Sequence, residues 1–235
     1  MKYKLTETSK TLLKGTVLYQ VQALIDIPNV CKKGDLGGWI QSEKNLSQKD
    51  SCWVSGYAQV SGHAHVYGEA QVSGNAQVYG NAQVSGNAQV WGDAQVYGNA
   101  HVYGNAHVYG NAVSGYAQVS GHAHVYGNAQ VFGNAQVFGN AQVYGYAQVS
   151  GNAQVWGDAQ VYGNAHVFGE AKVYDNTRVF GNAQVYVSID FNCDFDPWAL
   201  FLRLINNREK FPLLMGFDDP DLNKIIEQKL KKLTP

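Results

Sequence analysis

The sequence is poor in charged residues, and the few it has are nearly balanced. Charged side chains make up 15% of the 235 residues, against roughly 25% in an ordinary soluble domain. Amides, hydroxyls and backbone groups must therefore supply much of the surface polarity. The formal net charge is −1, and the 17 basic residues lie mostly near the two ends without forming a basic stripe. This balance gives no reason to expect nucleic acid or an anionic membrane as a partner.

Cysteines and long apolar runs are also scarce. Cys31, Cys52 and Cys193 are few, odd in number and far apart, which fits a reducing compartment, so we expect a cytoplasmic protein. No apolar stretch approaches the ~18 residues of a membrane helix, and no apolar run follows the first residues as in a signal peptide. The CxxC and P-loop patterns are absent, and no cofactor or metal is predicted.

What the sequence has in abundance is a six-residue repeat. From Val54 to Gln184 it reads valine, then an aromatic residue or serine, then glycine, a variable residue, alanine, and Gln, His or Lys. In a strand, the alanine and the valine two places on face one side, and the residue between them faces the other. Glycine and the adjacent asparagine suit a turn because both tolerate positive φ. The strict period argues against a disordered Asn/Gln-rich tract.

Three strand-and-turn units close a triangular coil of 18 residues, and stacked coils pair as parallel strands. The 22 hexads therefore predict an all-β fold, a triangular parallel β-helix of about seven coils. Valine and alanine are expected to fill its narrow interior. The open ends of such a solenoid need covering, since bare strand edges recruit other chains.

The hexads resemble the hexapeptide-repeat proteins, in which an aliphatic residue is followed four places on by a small one. The resemblance implies a left-handed β-helix, because coils of that family wind left-handed. It also implies a hypothesis of function, since the family includes trimeric acyltransferases that use acyl-CoA and a histidine base between subunits. One departure is the aromatic residue that often follows the valine here, where the family usually has a small residue.

The stretch VCKKGDLGGWIQSEKNLSQKDSCWV resembles the N-terminal segment of YdcK-like proteins, which are bacterial β-helix proteins labelled as acyltransferases and frequent in phages and prophages. The matching residues are Lys33, Gly34, Gly37, Gly38, Trp39, Asn45, Leu46, Ser47, Gln48, Cys52 and Trp53. We expect residues 1–53 to form an N-terminal β cap that starts the first coil. In it, GTVLYQVQALIDI alternates like a hairpin strand, and a glycine-marked turn leads into Trp39, expected to be buried.

We expect residues 54–186 to form the β-helix and residues 187–235 a C-terminal helical segment. Asp196 and Pro197 suit the start of one helix. A second helix would place five apolar residues on one face: Leu222, Ile225, Ile226, Leu230 and Leu233. That face would cover the last coil, dock a partner or second copy, or do both.

All seven histidines lie in the repeats: His63, His65, His101, His107, His122, His124 and His166. Histidine has the right intrinsic pKa for a general base. No loop leaves the coil to wall a pocket, however, and no carboxylate recurs at a fixed spacing to orient a ring. The two His-Ala-His elements lack an obvious third metal ligand. The sequence therefore favours a protein that is not an enzyme, with acyl transfer as the alternative.

The outward position after each valine is aromatic in 15 of the 22 hexads and serine in the others. Residues one coil apart fall on the same side, and one side carries six aromatic residues in succession: Trp91, Tyr109, Tyr126, Tyr144, Tyr162 and Phe180. We call these six residues the aromatic ladder. Serines interrupt the other two sides at Ser61, Ser114 and Ser150, and at Ser85 and Ser120. A long exposed aromatic strip usually marks an interface, although stacking alone would also stabilise the coil.

The unbroken ladder depends on one irregular hexad, residues 108–112, which has five residues. Ala112 is followed directly by Val113, so the sequence predicts that the outward Gln or His is lost, with a local kink and both core residues kept. VSGYAQVSGHAHVYG occurs just after this point and at the start of the array, which indicates a duplication scar. If the short hexad shifted the coil register, the ladder would break between Tyr109 and Tyr126.

These observations favour a non-catalytic β-solenoid that presents a rigid aromatic and amide face to a protein partner or to its own copies, with a homotrimer as one candidate. The resemblance to phage and prophage proteins suggests inhibition of a bacterial protein. The alternatives are a trimeric acyl-CoA-dependent acyltransferase and a polysaccharide-binding protein. Ice binding is disfavoured because the repeat has almost no threonine.

Overall fold

Each hexad of the repeat folds as a strand of two or three residues and a tight turn. The computed structural model describes residues 1–13, 15–110 and 112–185, and these form an all-β parallel solenoid of about eight turns. Glycine is favoured in the turns because φ is positive there, for example +70° at Gly139. The predicted helices and the apolar face of Leu222, Ile225, Ile226, Leu230 and Leu233 lie outside the described residues.

Three antiparallel strands and a short helix precede the repeats. They are β1 (Tyr3–Thr11), β2 (Val17–Ala23), β3 (Leu36–Ile40) and a 3-10 helix, Glu43–Asn45. β1 pairs with β2 and β2 with β3, and β3 then pairs in parallel with the second strand of the solenoid. Ile40, Leu46 and Val54 are fully buried, so the first turn of the coil is built largely from this N-terminal segment. This explains why the solenoid has about eight turns and not seven.

The three sides of the solenoid are parallel sheets, named here in chain order. Side 1 contains β4 (Trp53–Val54), β7 (Gln71–Val72), β10 (Gln89–Trp91), β13 (His107–Tyr109), β16 (His124–Tyr126), β19 (Gln142–Val143), β22 (Gln160–Val161) and β25 (Arg178–Val179). Side 2 contains β5 (Gln59–Val60), β8 (Gln77–Val78), β11 (Gln95–Val96), β14 (Ala112–Val113), β17 (Gln130–Val131), β20 (Gln148–Val149), β23 (His166–Val167) and β26 (Gln184–Val185). Side 3 contains β6 (His65–Val66), β9 (Gln83–Val84), β12 (His101–Val102), β15 (Gln118–Val119), β18 (Gln136–Val137), β21 (Gln154–Val155) and β24 (Lys172–Val173).

Valine lies over valine in every coil-to-coil pairing of these sheets, as Val90 lies over Val108 and Val108 over Val125. The valines and alanines of the repeat are fully buried from Ala58 to Val108 and from Val113 to Val173, with Ala112 outside this description. Stacked branched and small side chains therefore fill the interior, as the repeat predicts. Within the described residues, side chains therefore fill the interior of the solenoid, and the candidate binding groups lie on its outer surface.

The five-residue hexad keeps the strand register, and the sequence prediction about its missing position is wrong. Ala112 pairs with Gln95 in one neighbouring coil and with Gln130 in the other. It therefore occupies the register position that Gln holds elsewhere, so the coil lacks the alanine position and not the outward one. The register places the shortening between Tyr109 and Ala112, and the next strand of side 1 is in register again.

The prediction that Trp39 is buried is wrong, and Trp53 is the buried tryptophan of this segment. Trp39 is half-buried, and the Lys10 Nζ atom lies 4.4 Å from the centre of its ring. Trp53 is the buried one, packed edge-on against Tyr3 with ring centroids 6.4 Å apart. Strand alternation explains the difference, because Trp39 takes the outward position paired with Gln59. No helix in the described ranges is long and apolar enough to cross a membrane.

Candidate functional site: an aromatic ladder on side 1

The six residues of the aromatic ladder form one continuous stack on side 1. Successive ring centroids lie 5.0, 5.3, 4.8, 4.9 and 5.4 Å apart from Trp91 to Phe180. The angle between adjacent planes does not exceed 13°. The stack crosses the short hexad without a gap, because Tyr109 pairs with Tyr126 in the strand register. Aromatic pairs at such distances attract beyond their buried area, by about 0.5–1.5 kcal/mol each.

The coil itself positions the rings. Each ladder residue directly follows a buried valine and precedes the glycine of the turn, so it lies outside the core at one corner of the prism. Backbone hydrogen bonds fix successive coils, as where Tyr144 N donates to Val161 O at 2.9 Å and Tyr162 N to Val179 O at 2.9 Å. The spacing of the rings in the ladder is therefore set by the spacing of the strands. The rings are already in this arrangement before any partner binds.

The ladder is partly open to solvent. Tyr109 is 36% exposed and Phe180 57%, and the other four rings are half-buried by their neighbours. Burial, followed by the proximity of Tyr144 and Tyr109, raises the pKa of Tyr126 above its ordinary value, so its hydroxyl stays protonated and able to donate a hydrogen bond. The ladder therefore offers ring edges and hydroxyls, without charge, to whatever covers it.

Two histidines on the same side, His107 and His124, border the aromatic ladder. The sequence makes them candidate bases, but their place beside the ladder was not predicted from it. His107 and His124 stack with centroids 4.8 Å apart, and His107 also meets Trp91 edge-on at 5.4 Å. Burial, then the neighbouring His124 and His122, lowers the pKa of His107. The signal was available, because each histidine stands two places before a ladder tyrosine in the same strand and so faces the same way.

Two of the other histidines, His65 and His122, make hydrogen bonds to residues of neighbouring turns of the chain. His65 Nδ1 donates to Lys44 O at 2.6 Å, and a ring nitrogen of His122 lies 3.4 Å from Asn105 Nδ2. No group of three or more metal-binding side chains occurs in the part of the chain that the structure describes. The contacts of these two rings thus go to a backbone carbonyl and an amide, and not to a carboxylate that would orient a catalytic base.

The aromatic stacks of the other two sides are shorter, because serine interrupts them. Side 2 has a stacked pair, Tyr79 and Tyr97, with centroids 5.0 Å apart. Side 3 has a run of three, Phe138, Trp156 and Tyr174, at 5.5 and 4.7 Å. The ladder on side 1 is thus the longest run of stacked rings among residues 1–13, 15–110 and 112–185.

Amide ladders run along the corners of the prism beside the rings. Asn75 Nδ2 donates to Asp93 Oδ1 at 3.0 Å, and Asn164 Nδ2 donates to Asn182 Oδ1 at 3.1 Å one coil apart. Such side chains hold one another in place and leave further amide groups at the surface. A partner on side 1 would therefore meet rings flanked by preorganised hydrogen-bonding groups.

Six segments of the chain match the family model of the YdcK β-solenoid repeat: residues 58–74, 70–86, 76–92, 94–110, 117–133 and 129–145. All six lie within the solenoid and together cover about a third of the sequence. No curated protein matches the chain. The matched pattern records the valines, glycines and alanines that pack the coil, so it identifies the architecture and leaves the chemistry of the surface open.

Proposed function

We propose that this protein, a β-solenoid repeat protein of the YdcK type, is a non-catalytic binding protein that presents the aromatic ladder to a protein partner. The observation that carries the proposal is the unbroken stack from Trp91 to Phe180. Stability alone does not require it, since the same coil accepts serine at the equivalent corner on sides 2 and 3.

The physical chemistry of the ladder suits protein binding. Aromatic residues are favoured anchors at interfaces because they bury large areas at low cost in conformational entropy. Here the rings are already ordered by stacking and by the strands below, which lowers the entropy lost on association. The flanking strand positions are mostly neutral, Gln or His, so we expect shape and hydrogen bonds to select the partner more than charge does.

The resemblance of the N-terminal segment to proteins of phages and prophages supports a bacterial host protein as the partner. A rigid prism that lies across a host enzyme would inhibit it by blocking access to its surface. Self-association through the same ladder, up to a homotrimer, is the competing use of this surface.

The test is capture of partners from bacterial lysate with the wild-type chain and with a Tyr126→Ser, Tyr144→Ser double variant. A Tyr116→Ser, Tyr146→Ser double variant is the matched control, because both tyrosines lie in turns and are 64% exposed. We expect the ladder variant to fail to capture a protein that the wild type and the control variant both capture. Once purified, that captured protein should bind the wild type and the control variant more tightly than the ladder variant. The proposal is wrong if all three recover the same proteins, or if none recovers any.

Analytical ultracentrifugation of the wild type and the two variants distinguishes binding of a different protein from self-association of this chain. A mass that falls toward the monomer only in the ladder variant would assign the ladder to self-association. Acyl transfer makes a different prediction: turnover of acetyl-CoA that a His107→Ala or His124→Ala variant abolishes would replace the binding proposal.

A further inference from the structure

On side 3, Ser85 interrupts a column of rings between Tyr67 and Tyr103. Val66 pairs with Val84 and Val84 with Val102, so the three residues that follow these valines occupy the same corner in successive coils. Each coil step is about 4.8 Å, so the rings on either side of the serine are separated by roughly 10 Å along the axis. In the aromatic ladder a third ring fills the intermediate level.

A cavity of about 230 Å³ lies at this interruption, lined by Tyr67, Gln83, Ser85, His101 and Tyr103. We call it the Ser85 slot. Ser85 is only 9% exposed, and Tyr103 is 39% exposed. Tyr67 Oη donates to Gln83 Oε1 at 3.2 Å and so ties one wall of the slot to the next coil.

We propose that the Ser85 slot binds one neutral aromatic ring with a hydrogen-bonding edge, such as the side chain of tryptophan or tyrosine. A ring placed midway would lie about one strand spacing, roughly 5 Å, from the levels of Tyr67 and Tyr103, within the 4.5–7 Å range of aromatic pairing. This is the spacing that the ladder already shows, for example 4.8 Å between Tyr126 and Tyr144. The occupant would restore the missing level of the column.

The lining of the slot selects against charge. It consists of two phenols, a hydroxyl, an amide and an imidazole, which can donate and accept hydrogen bonds but carry no fixed charge. A charged ring would lose solvation without gaining an ion pair. The slot lies on side 3, away from the aromatic ladder, and the inference does not depend on the function proposed for side 1.

A related arrangement occurs two coils further on, between Tyr103 and Phe138. Ser120 is also 9% exposed, and Tyr103 Oη donates to Gln118 Oε1 at 3.3 Å, as Tyr67 does to Gln83. His101 lines the Ser85 slot, whereas the corresponding outward residue beyond Ser120 is Gln136. The two levels can therefore be separated by variants.

The experiment is an NMR titration of the full chain with N-acetyl-tryptophanamide, a neutral probe. We expect upfield shifts of the indole protons, because a ring held between two others lies in their shielding regions. Tyr67→Ala and Tyr103→Ala should each weaken binding about tenfold, or about 1.4 kcal/mol, because each removes one of the two rings beside the probe. Ser85→Tyr should abolish binding by filling the level, with the β-sheet circular dichroism unchanged.

Two controls keep the result specific. Tyr116→Ala removes an exposed turn tyrosine and should leave binding unchanged. Ser73→Tyr adds a ring on side 1, where only one side of the new ring faces an aromatic residue, and should also leave binding unchanged.

Three results would overturn the proposal. The first is that Ser85→Tyr binds the probe as tightly as the wild type. The second is that Ser120→Tyr loses binding and Ser85→Tyr does not, and the third is that the indole protons do not shift at millimolar probe. Stronger binding of methyl β-glucopyranoside than of the indole probe, lost in the same variants, would assign the slot to sugars instead. Because Ser85→Tyr leaves side 1 unaltered, failure here is distinguishable from failure of the ladder as a partner-binding surface.

Discussion

Tyr109 stacks on Tyr126 with ring centroids 5.3 Å apart and planes 8° from parallel, although 17 residues and not 18 separate them. The strands are in register at this level, with His107 opposite His124. The strand register places the one-residue deficit between Tyr109 on side 1 and Ala112 on side 2, before the chain returns to side 1. The ladder tolerates a deletion because each strand is aligned by its own hydrogen bonds to the coils above and below.

Inserting a glutamine between Ala112 and Val113 should make this hexad regular and stabilise the protein. Ala112 would move to the alanine register position and add about one buried methyl group, worth about 0.8 kcal/mol. Urea unfolding of the wild-type and inserted chains measures the change. The same insertion between Ala129 and Gln130, in a regular hexad, is the control and should destabilise. Equal losses in both would show that the five-residue hexad is already the better-packed form.

The repeat predicts the solenoid and the ladder because both depend only on period and alternation. Valine and alanine two places apart must share a side, and residues one coil apart must stack, whatever the details of the turn. The predicted identity of the missing position was wrong because alanine is compatible with both the inward and the outward position of a strand, so the residue types around Val113 do not show which position is lost. Only the backbone pairing of Ala112 with Gln95 and Gln130 decides between the two arrangements.

The Ser85 slot and the pairing of His107 with His124 could have been predicted from the sequence. The rule that residues one coil apart share a side applies to the serines and to the outward histidines as well as to the aromatic residues. The N-terminal contacts could not, because they join residues distant in sequence. Lys2, for example, is buried and its Nζ donates to Cys52 O at 2.7 Å, across 50 positions. No period relates these two residues, so the sequence contains no local signal for their contact.

Comparing Gly74→Ala with Gly92→Ala should distinguish the cost of backbone strain from the cost of a steric clash with the next coil. Both glycines lie at the same corner in consecutive coils, with φ of +67° and +65°. Either substitution puts a non-glycine residue in the left-handed region, which costs about 1–2 kcal/mol. A Cβ at Gly74 would also lie 2.9 Å from Gly92 N, whereas a Cβ at Gly92 would have its nearest contact, Gly110 N, at 3.6 Å. We therefore expect Gly74→Ala to reduce the free energy of unfolding more than Gly92→Ala does, as measured by urea denaturation. The same loss in both variants would mean that strain alone decides.

Lowering the pH should destabilise the protein through His107. Its pKa is lowered in the folded state by burial and by His124 and His122, so the unfolded chain takes up the proton first. Above about pH 6.5 both states are neutral and the folded state bears no penalty. As the pH falls from there, the free energy of unfolding declines until the pH has passed the lowered pKa of the folded state. His107→Gln should reduce this decline, because Gln occupies the equivalent position in β10 and β19.

The pH experiment compares urea unfolding midpoints of wild type and His107→Gln between about pH 7.5 and pH 5. His166→Gln on side 2 controls for the removal of a histidine as such. Parallel curves for wild type and His107→Gln would refute the role assigned to this pair.

Replacing Asn45 with leucine should weaken the start of the solenoid more than loss of any exposed corner asparagine. Asn45 is fully buried. Its Nδ2 donates to Gly62 O at 3.0 Å and to Ala64 O at 2.8 Å, and its Oδ1 accepts from Ser42 N at 2.9 Å. Leucine would leave these three backbone groups without that partner, and each buried unsatisfied group costs about 1–3 kcal/mol.

Asn134→Leu is the matched control, because Asn134 is exposed and its Nδ2 donates only to the side chain of Asn152, at 3.0 Å. Surface changes of this kind usually stay within about 0.5 kcal/mol. Hydrogen exchange resolved by residue should show faster exchange in β3 and β5 for Asn45→Leu, since the lost bonds join the 3-10 helix to the first coils. If Asn45→Leu speeds exchange equally along the whole solenoid, the coils unfold as one cooperative unit and the N-terminal segment stabilises all of them. If exchange is not faster in either variant, Asn45 does not stabilise the first coil.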